Sequence, residues 1–211
     1  MFNPSEKTLA LFSLTACGGC LEMLKNMPLS LHTFYEINDE KYDIAIIEGH
    51  PLTDKQIELV KTIRSHAETV IAIGACAHIG GVYLNKEKTL SKIIRVDHII
   101  PGCPPSQKEI EQCMMDLYWG KIFHLPDLAV CFECRQNENE CLIKKKKLCL
   151  GPITRGGCNS ICVNHGEACL GCRGLKPAAN LEKMTEILKP IVPEKEIGNI
   201  FSIFGDLNEK H

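Results

Sequence analysis

Residues 9–20 read LALFSLTACGGC, an apolar run broken only by Ser13 and followed at once by Cys17 and Cys20 with two glycines between them. A short, nearly continuous apolar run is what a strand buried on both faces of a parallel sheet presents. The run recurs at 44–47, 70–73 and 98–100, and two of these are again followed by a cysteine, Cys76 after the third run and Cys103 after the fourth. In an open parallel sheet, ligands bind in the crevice beyond the carboxyl ends of the strands. Three strands therefore bring Cys17, Cys20, Cys76 and Cys103 to one edge, and separations of 56 and 27 residues between Cys20, Cys76 and Cys103 cease to matter once the sheet has formed.

The segments between the runs have helical rather than strand periodicity. Residues 54–66 place Ile57, Val60 and Ile63, with Leu59 alongside, on one face, and Thr53 or Asp54 stands where an N-cap belongs. Residues 104–119 repeat the pattern with Ile110, Cys113, Met114 and Leu117, and the Pro104-Pro105 pair is expected to begin that helix, where missing amide hydrogens do no harm. Cys113 lies in the apolar stripe and reads as core. Residues 31–37 are expected to add an edge strand. The reading is an α/β domain built on a parallel sheet.

The chain has 211 residues, 45% hydrophobic and 24% charged, with a formal net charge of -2. That composition suits a globular protein and lacks the basic excess of a nucleic-acid-binding surface. No apolar run reaches the roughly 18 residues of a membrane span, and residues 1–7 lack a basic start leading into a long apolar stretch. The expectation is a soluble, cytoplasmic protein with no membrane span and no nucleic-acid partner.

Thirteen cysteines in such a chain point to metal ligation rather than disulfides. Five fall before residue 125, and eight crowd into 131–172 as Cys131-x2-Cys134-x6-Cys141-x7-Cys149 and Cys158-x3-Cys162-x6-Cys169-x2-Cys172. So many ligand-type residues leave little room for an apolar core, so metal must stabilise the segment. Four thiolates satisfy a 4Fe-4S cube, and Gly18, Gly19, Gly74, Gly80, Gly81 and Gly102 allow backbone amides to approach the first set. In the second segment, Gly151, Gly156, Gly157, Gly166, Gly171 and Gly174 are placed similarly, and Arg155 and Arg173 are either ordinary surface arginines or positive charge beside an anionic cluster.

Alternatives stay open on spacing alone. Cys17 and Cys20 could form a thioredoxin-like redox pair, each quartet could hold zinc, and the eight later ligands could interleave between two sites. Glu48 and His50 follow the second run, where they either face a redox centre or cap a loop, and His78 either donates to a cluster or packs. The Lys144 to Lys147 block is a solvated loop or a docking patch for an acidic electron carrier. Residues 179–188 carry Leu181, Met184, Ile187 and Leu188 as a helical stripe ending at Pro190, and the chain beyond Pro193 is expected to drape on the surface. No nucleophile-base pair, phosphate loop or dinucleotide fingerprint is present, so no catalytic residue is assigned.

Thr15-Ala-Cys17-Gly-Gly-Cys20, Gly74-Ala-Cys76-Ala-His-Ile-Gly-Gly81 and Pro101-Gly-Cys103-Pro-Pro105 resemble the proximal-cluster motifs of the small subunit of nickel-iron hydrogenases. The stretch 131–172, with Gly151-Pro-Ile-Thr-Arg-Gly-Gly-Cys158, resembles the cytoplasmic group that includes deazaflavin-reducing, methyl-viologen-reducing and sulfhydrogenase-type enzymes. The resemblance implies a flavodoxin-like domain over 1–125 with helices on both faces, a small irregular two-cluster domain over 126–175, and a C-terminal helix and tail over 176–211. It implies three 4Fe-4S clusters on Cys17, Cys20, Cys76, Cys103, Cys131, Cys134, Cys141, Cys149, Cys158, Cys162, Cys169 and Cys172. It further implies a nickel-iron large subunit as partner and an acceptor subunit containing flavin or iron-sulfur groups. The related quinone oxidoreductase subunit differs in having adjacent cysteines at the first motif and no eight-cysteine segment. Two other functions fit the same cysteines, a relay for a nickel-free hydrogenase-like oxidoreductase and a zinc-stabilised interaction module.

Overall fold

The structure is a computed structural model that describes residues 7–25, 32–34, 41–83, 89–205 and 207. Five strands, β1 (Thr8–Ser13), β2 (His32–Phe34), β3 (Tyr42–Glu48), β4 (Ala67–Ile73) and β5 (His98–Ile100), form one sheet in the order β2-β1-β3-β4-β5. Every pairing is parallel. This is the strand order of flavodoxin-type doubly wound sheets, whose switch point lies between β1 and β3. The edge strand expected over 31–37 is seen at His32–Phe34, and its remaining residues lie outside the described ones.

Period-2 alternation explains why these strands read as unbroken apolar runs. Leu9, Leu11, Ile44, Ile46, Ile71 and Ile73 face one side, where they meet Leu21 and Leu24 of α1 (Gly19–Lys25) and Ile110, Cys113, Met114 and Leu117 of α5 (Gln107–Tyr118). Ala10, Phe12, Ala45, Ile47, Val70 and Ala72 face the other, against Val60 and Ile63 of α2 (Asp54–His66) and Leu90 of α4 (Leu90–Ile93). Cys113 is wholly buried in the first of these cores.

Helix α2 begins where the sequence places its cap. Thr53 Oγ1 accepts the Gln56 amide at 3.2 Å, and Gln56 Oε1 accepts the Thr53 amide at 3.3 Å, a reciprocal capping box. Helix α5 starts later than the proline pair suggests. Residues 102–105 instead form a turn closed by a Gly102–Pro105 bridge, and this turn projects Cys103 beyond β5 before the helix starts at Gln107.

Residues 126–175 have little regular structure beyond α6 (Val130–Gln136) and α7 (Ile161–Asn164). Their small core of Val130, Leu142 and Val163 includes Cys149 and Cys169. Helix α8 (Leu181–Leu188) is capped by Asn180, whose Oδ1 accepts the Lys183 amide at 2.7 Å. The tail does not drape beyond Pro193. It forms α9 (Glu194–Ile200), because Ile197, Ile200 and Phe201 have an apolar surface to cover, made by Met184 and Leu188 of α8, Leu150, Ile153, and Ala75 and Ile79 of α3 (Gly74–Ile79).

Candidate functional site

The carboxyl edge of the sheet gathers the first four cysteines. Cys17 lies in the turn after β1 and Cys20 in the first turn of α1, while Cys76 is on α3 directly after β4 and Cys103 is in the turn after β5. The Ala75 amide donates to the Gly102 carbonyl at 2.8 Å, which ties the segments after β4 and β5 together. Between them, β3 contributes Glu48, 1% exposed, whose Oε2 accepts the amides of Cys20 at 3.1 Å and Leu21 at 3.0 Å, and whose Oε1 accepts the Ser13 hydroxyl at 2.8 Å. A carboxylate thus satisfies amides that the start of α1 would leave without partners. His50 is also fully buried and is held in an antiparallel bridge with Thr15. His78 lies against the Gly174 backbone and so faces the later cysteine segment.

The thiols influence one another. Burial, then Glu48, Cys76, Cys103 and Cys17, push the Cys20 thiol up to about 12. Burial, Cys103, Cys17 and Glu48 push Cys76 up to about 11, and burial and Cys17 raise Cys103. Cys20, Cys76 and Cys103, raised in this way, hold their protons until a cation compensates them, so metal loading here releases protons. The backbone approaches two of these sulfurs closely. Gly74 at φ +83 and Gly81 at φ +61 adopt left-handed conformations, and a Cβ at either would stand 2.5 Å from Cys20 Sγ or Cys76 Sγ respectively. Only glycine fits both the conformation and the approach.

The other eight interact both within the two sequence quartets and between them. Burial, then Cys149, Cys134 and Cys141, push Cys131 up to about 11. Burial, followed by Cys158 and Cys162, raises Cys172 to about 11 against the opposing pull of the Cys103 amide, which donates to its sulfur. Cys169 is raised chiefly by burial, with Cys149 and Cys172 adding to it. The Cys103 amide thus links the first set to Cys172, and Cys149 bears on Cys169 across the two sequence quartets. A cavity of about 420 Å³ lies between Cys103 and Cys158, Cys162, Cys169 and Cys172, with Thr154 and Arg173 in its wall. Among the described residues, no group of three or more His, Cys, Asp or Glu side chains is arranged to hold a single metal ion.

Two acidic residues that the sequence did not single out organise this region. Glu133, between Cys131 and Cys134, accepts the Gly157 amide at 2.6 Å and the Ser160 amide at 3.1 Å, and the Cys158 thiol points at it from 3.8 Å. Its position between two ligand-type cysteines was the available signal. Glu109 of α5 pairs with Arg173 at 2.6 Å, and Arg173 is 1% exposed, which removes the surface reading for that arginine. Arg155 is less buried and contacts Asp127 at 3.3 Å.

Residues 12–117 match the family described as NADH ubiquinone oxidoreductase, 20 Kd subunit, so the match spans the sheet domain and ends before the eight-cysteine segment. The delta subunit of sulfhydrogenase 2 from Pyrococcus furiosus is 35% identical over 93% of this chain and 98% of its own length. A subunit of an F420-non-reducing hydrogenase from Methanocaldococcus jannaschii is 28% identical over 79% of this chain and 81% of its own. A chain of an NAD+-reducing [NiFe]-hydrogenase superposes with a TM-score of 0.52 at 22% identity, covering 57% of this chain and 96% of that one. A chain of the Dm. baculatum [NiFeSe]-hydrogenase does so with a TM-score of 0.57 at 14% identity, covering 80% and 94%. At these identities the two structures speak for the fold alone. The chain belongs to the family of the NADH ubiquinone oxidoreductase 20 Kd subunit, and within it to the small subunits of nickel-iron hydrogenases, redox subunits of oxidoreductase complexes.

Proposed function

We propose that this chain is the electron-transfer subunit of a cytoplasmic nickel-iron hydrogenase, standing between the nickel-iron site of a large subunit and an acceptor subunit. It would hold three 4Fe-4S clusters, on Cys17, Cys20, Cys76 and Cys103, on Cys131, Cys134, Cys141 and Cys149, and on Cys158, Cys162, Cys169 and Cys172. In this reading residues 1–125 form the proximal unit, 126–175 the two-cluster unit, and 176–211 the tail, whose helices α8 and α9 pack against Ala75, Ile79, Leu150 and Ile153. The observation that carries the reading is the convergence of three strand ends on four mutually interacting thiols, with glycines where any Cβ would crowd the sulfurs.

When bound, each 4Fe-4S group supplies one-electron transfer at a potential set by its surroundings. The residues of this chain hold and tune that position. Glu48 fixes the first turn of α1 and with it the direction of Cys20, while its negative charge disfavours further negative charge nearby. Arg173 anchors the segment after Cys172 to the loop before Cys103 by donating to the Pro101 carbonyl at 2.7 Å. Buried Val130, Leu142 and Val163 pack against Cys149 and Cys169 and keep those two sulfurs from water.

Stepwise reduction of the anaerobically purified complex, followed by electron paramagnetic resonance with spin quantification, tests the reading. Three one-electron paramagnetic centres on this chain are expected. One centre alone would reduce the protein to a single-cluster subunit and remove the relay.

A further inference from the structure

Helix α6 carries Cys131 and Cys134 of one sequence quartet, and the polar side chains on it and in the turn after it hold the loop that carries Cys158 and Cys162 of the other. Glu133 accepts the amides of Gly157 and Ser160, on either side of Cys158. Asn137 Nδ2 lies 3.0 Å from the Asn159 carbonyl and 2.9 Å from Ser160 Oγ, and Asn139 Nδ2 donates to Asn164 Oδ1 at 2.6 Å. The loop needs this support because it is strained. Asn159 and Ser160 are consecutive non-glycine residues at φ 54° and 49°, a left-handed conformation that persists only where the surroundings dictate it. Ser160 is buried as well, and its hydroxyl lies between Asn137 and the Asn164 carboxamide.

Helix α6 cannot give this support unaided. It has seven residues with only Val130 buried, and helices shorter than about 12 residues are marginal in water. Its first turn is tied by the Val130 amide to the Thr154 carbonyl at 3.0 Å. In the proposed function, metal on Cys131 and Cys134 supplies the rest, so binding free energy there is also folding free energy. Two further links join the quartets. The Leu150 amide, next to Cys149, donates to the Cys169 carbonyl at 2.7 Å, and Val130, Leu142 and Val163 form one small core with Cys149 and Cys169. The sheet stands apart from this arrangement. Among the described residues, neither of its two cores includes any of 126–175, so the sheet positions the first four cysteines by itself.

We propose that the two later metal sites load and unload as one unit, with Glu133, Asn137 and Asn139 as the positioning residues that couple them, while the first site loads independently. This rests on the three-cluster reading and adds how the later clusters are assembled. Emptying the site on α6 lets the helix unwind, and the left-handed loop then loses the groups that dictate it. Emptying the other site frees that loop, and Glu133 and Asn137 lose their partners. The coupling is reciprocal, as any linkage of two binding equilibria must be. Its consequence for a relay is that the chain carries either one cluster or all three, and a chain with a single gap among its later centres does not accumulate.

The test uses the full chain in its complex, purified anaerobically, with iron, sulfide and reduced-state electron paramagnetic resonance as readouts. Cys141→Ala is expected to remove about eight irons per chain, two cubes, rather than about four. Loss of about four would overturn the coupling, and loss of all the iron would overturn the independence of the first site. A second measurement keeps every cysteine. With bathophenanthroline disulfonate as the iron chelator, about eight irons should leave the wild type in a single phase, and the signals of two centres should vanish together. Asn137→Ala/Asn139→Ala should split that phase into two of about four irons each, at least about tenfold apart in rate. Two phases in the wild type would overturn the proposal, and uniform acceleration of one phase in the variant would reduce the asparagines to mere stabilisers of the segment and overturn their coupling role. If the double variant fails to load, the Cys141→Ala count decides alone. A wild type with clearly fewer than about twelve irons overturns the three-cluster reading instead.

Discussion

Arg173 and Glu109 form a bidentate ion pair, with Nη1 2.8 Å from Oε2 and Nη2 2.6 Å from Oε1, in a place where both side chains are buried. The arginine also donates to the carbonyls of Pro101, Arg155 and Gly156, so one guanidinium joins α5, the loop leading to Cys103 and the segment holding the last quartet. A planar fork with five donors can do this where a lysine cannot. The pair therefore fixes how the sheet domain and the later cysteines sit against each other.

Removing one partner leaves the other buried and uncompensated. Arg173→Met is expected to cost about 3–5 kcal/mol, and Arg173→Lys is expected to recover only part of that. Chemical denaturation of the metal-loaded chain measures the loss. If the methionine variant were as stable as the wild type, the pair would have no role in joining the two regions.

Glu48 is expected to matter for potential as well as for folding. Glu48→Gln keeps the shape but removes a buried negative charge next to Cys20 and Cys76. It should cost about 1–3 kcal/mol in stability and raise the reduction potential of the first centre, because added negative charge is then less opposed. Redox titration with spectroscopic detection gives the sign. An unchanged or lowered potential would mean that Glu48 serves only to cap α1.

The two cysteines of the sheet domain with opposite assignments give a matched pair. Cys103→Ala should remove about four irons per chain, the content of one cube. Cys113→Ala, at a buried core position, should leave iron unchanged and cost about 1 kcal/mol. Equal iron loss in the two variants would break the choice of ligands.

Asp97 sets an acid limb to stability. Burial alone would raise its pKa, but the Val70 amide at 2.9 Å and the Arg64 guanidinium outweigh burial and hold it below the usual carboxylate value. A depressed folded value means that its stabilisation is present above the unfolded pKa of about 3.9 and is lost as pH falls through the folded value. Asp97→Asn should therefore lower stability at neutral pH and flatten the decline below about pH 4, as followed by thermal unfolding at a series of pH values.

The sheet and the first four cysteines were legible in the sequence because parallel strands buried on both faces leave long apolar runs, and each relevant run ends at a cysteine. Helix α2 was legible to the residue through its cap. Helices α1 and α3 were not, since each is short, begins at glycine and is defined by the crevice it lines rather than by an apolar stripe. Helix α9 escaped notice because its apolar residues acquire meaning only against α8 and α3. The Arg173–Glu109 pair was also hidden, as it depends on a contact between residues 64 positions apart in the chain.

The most direct measurement is the iron, acid-labile sulfide, zinc and nickel content of the anaerobically purified chain, alone and with the subunits that copurify. About twelve irons and twelve sulfides per chain are expected, from three cubes on twelve thiolates, with nickel appearing only in the complex. About four irons with two zincs would keep the first centre, turn the eight-cysteine segment into a structural module, and contradict the relay.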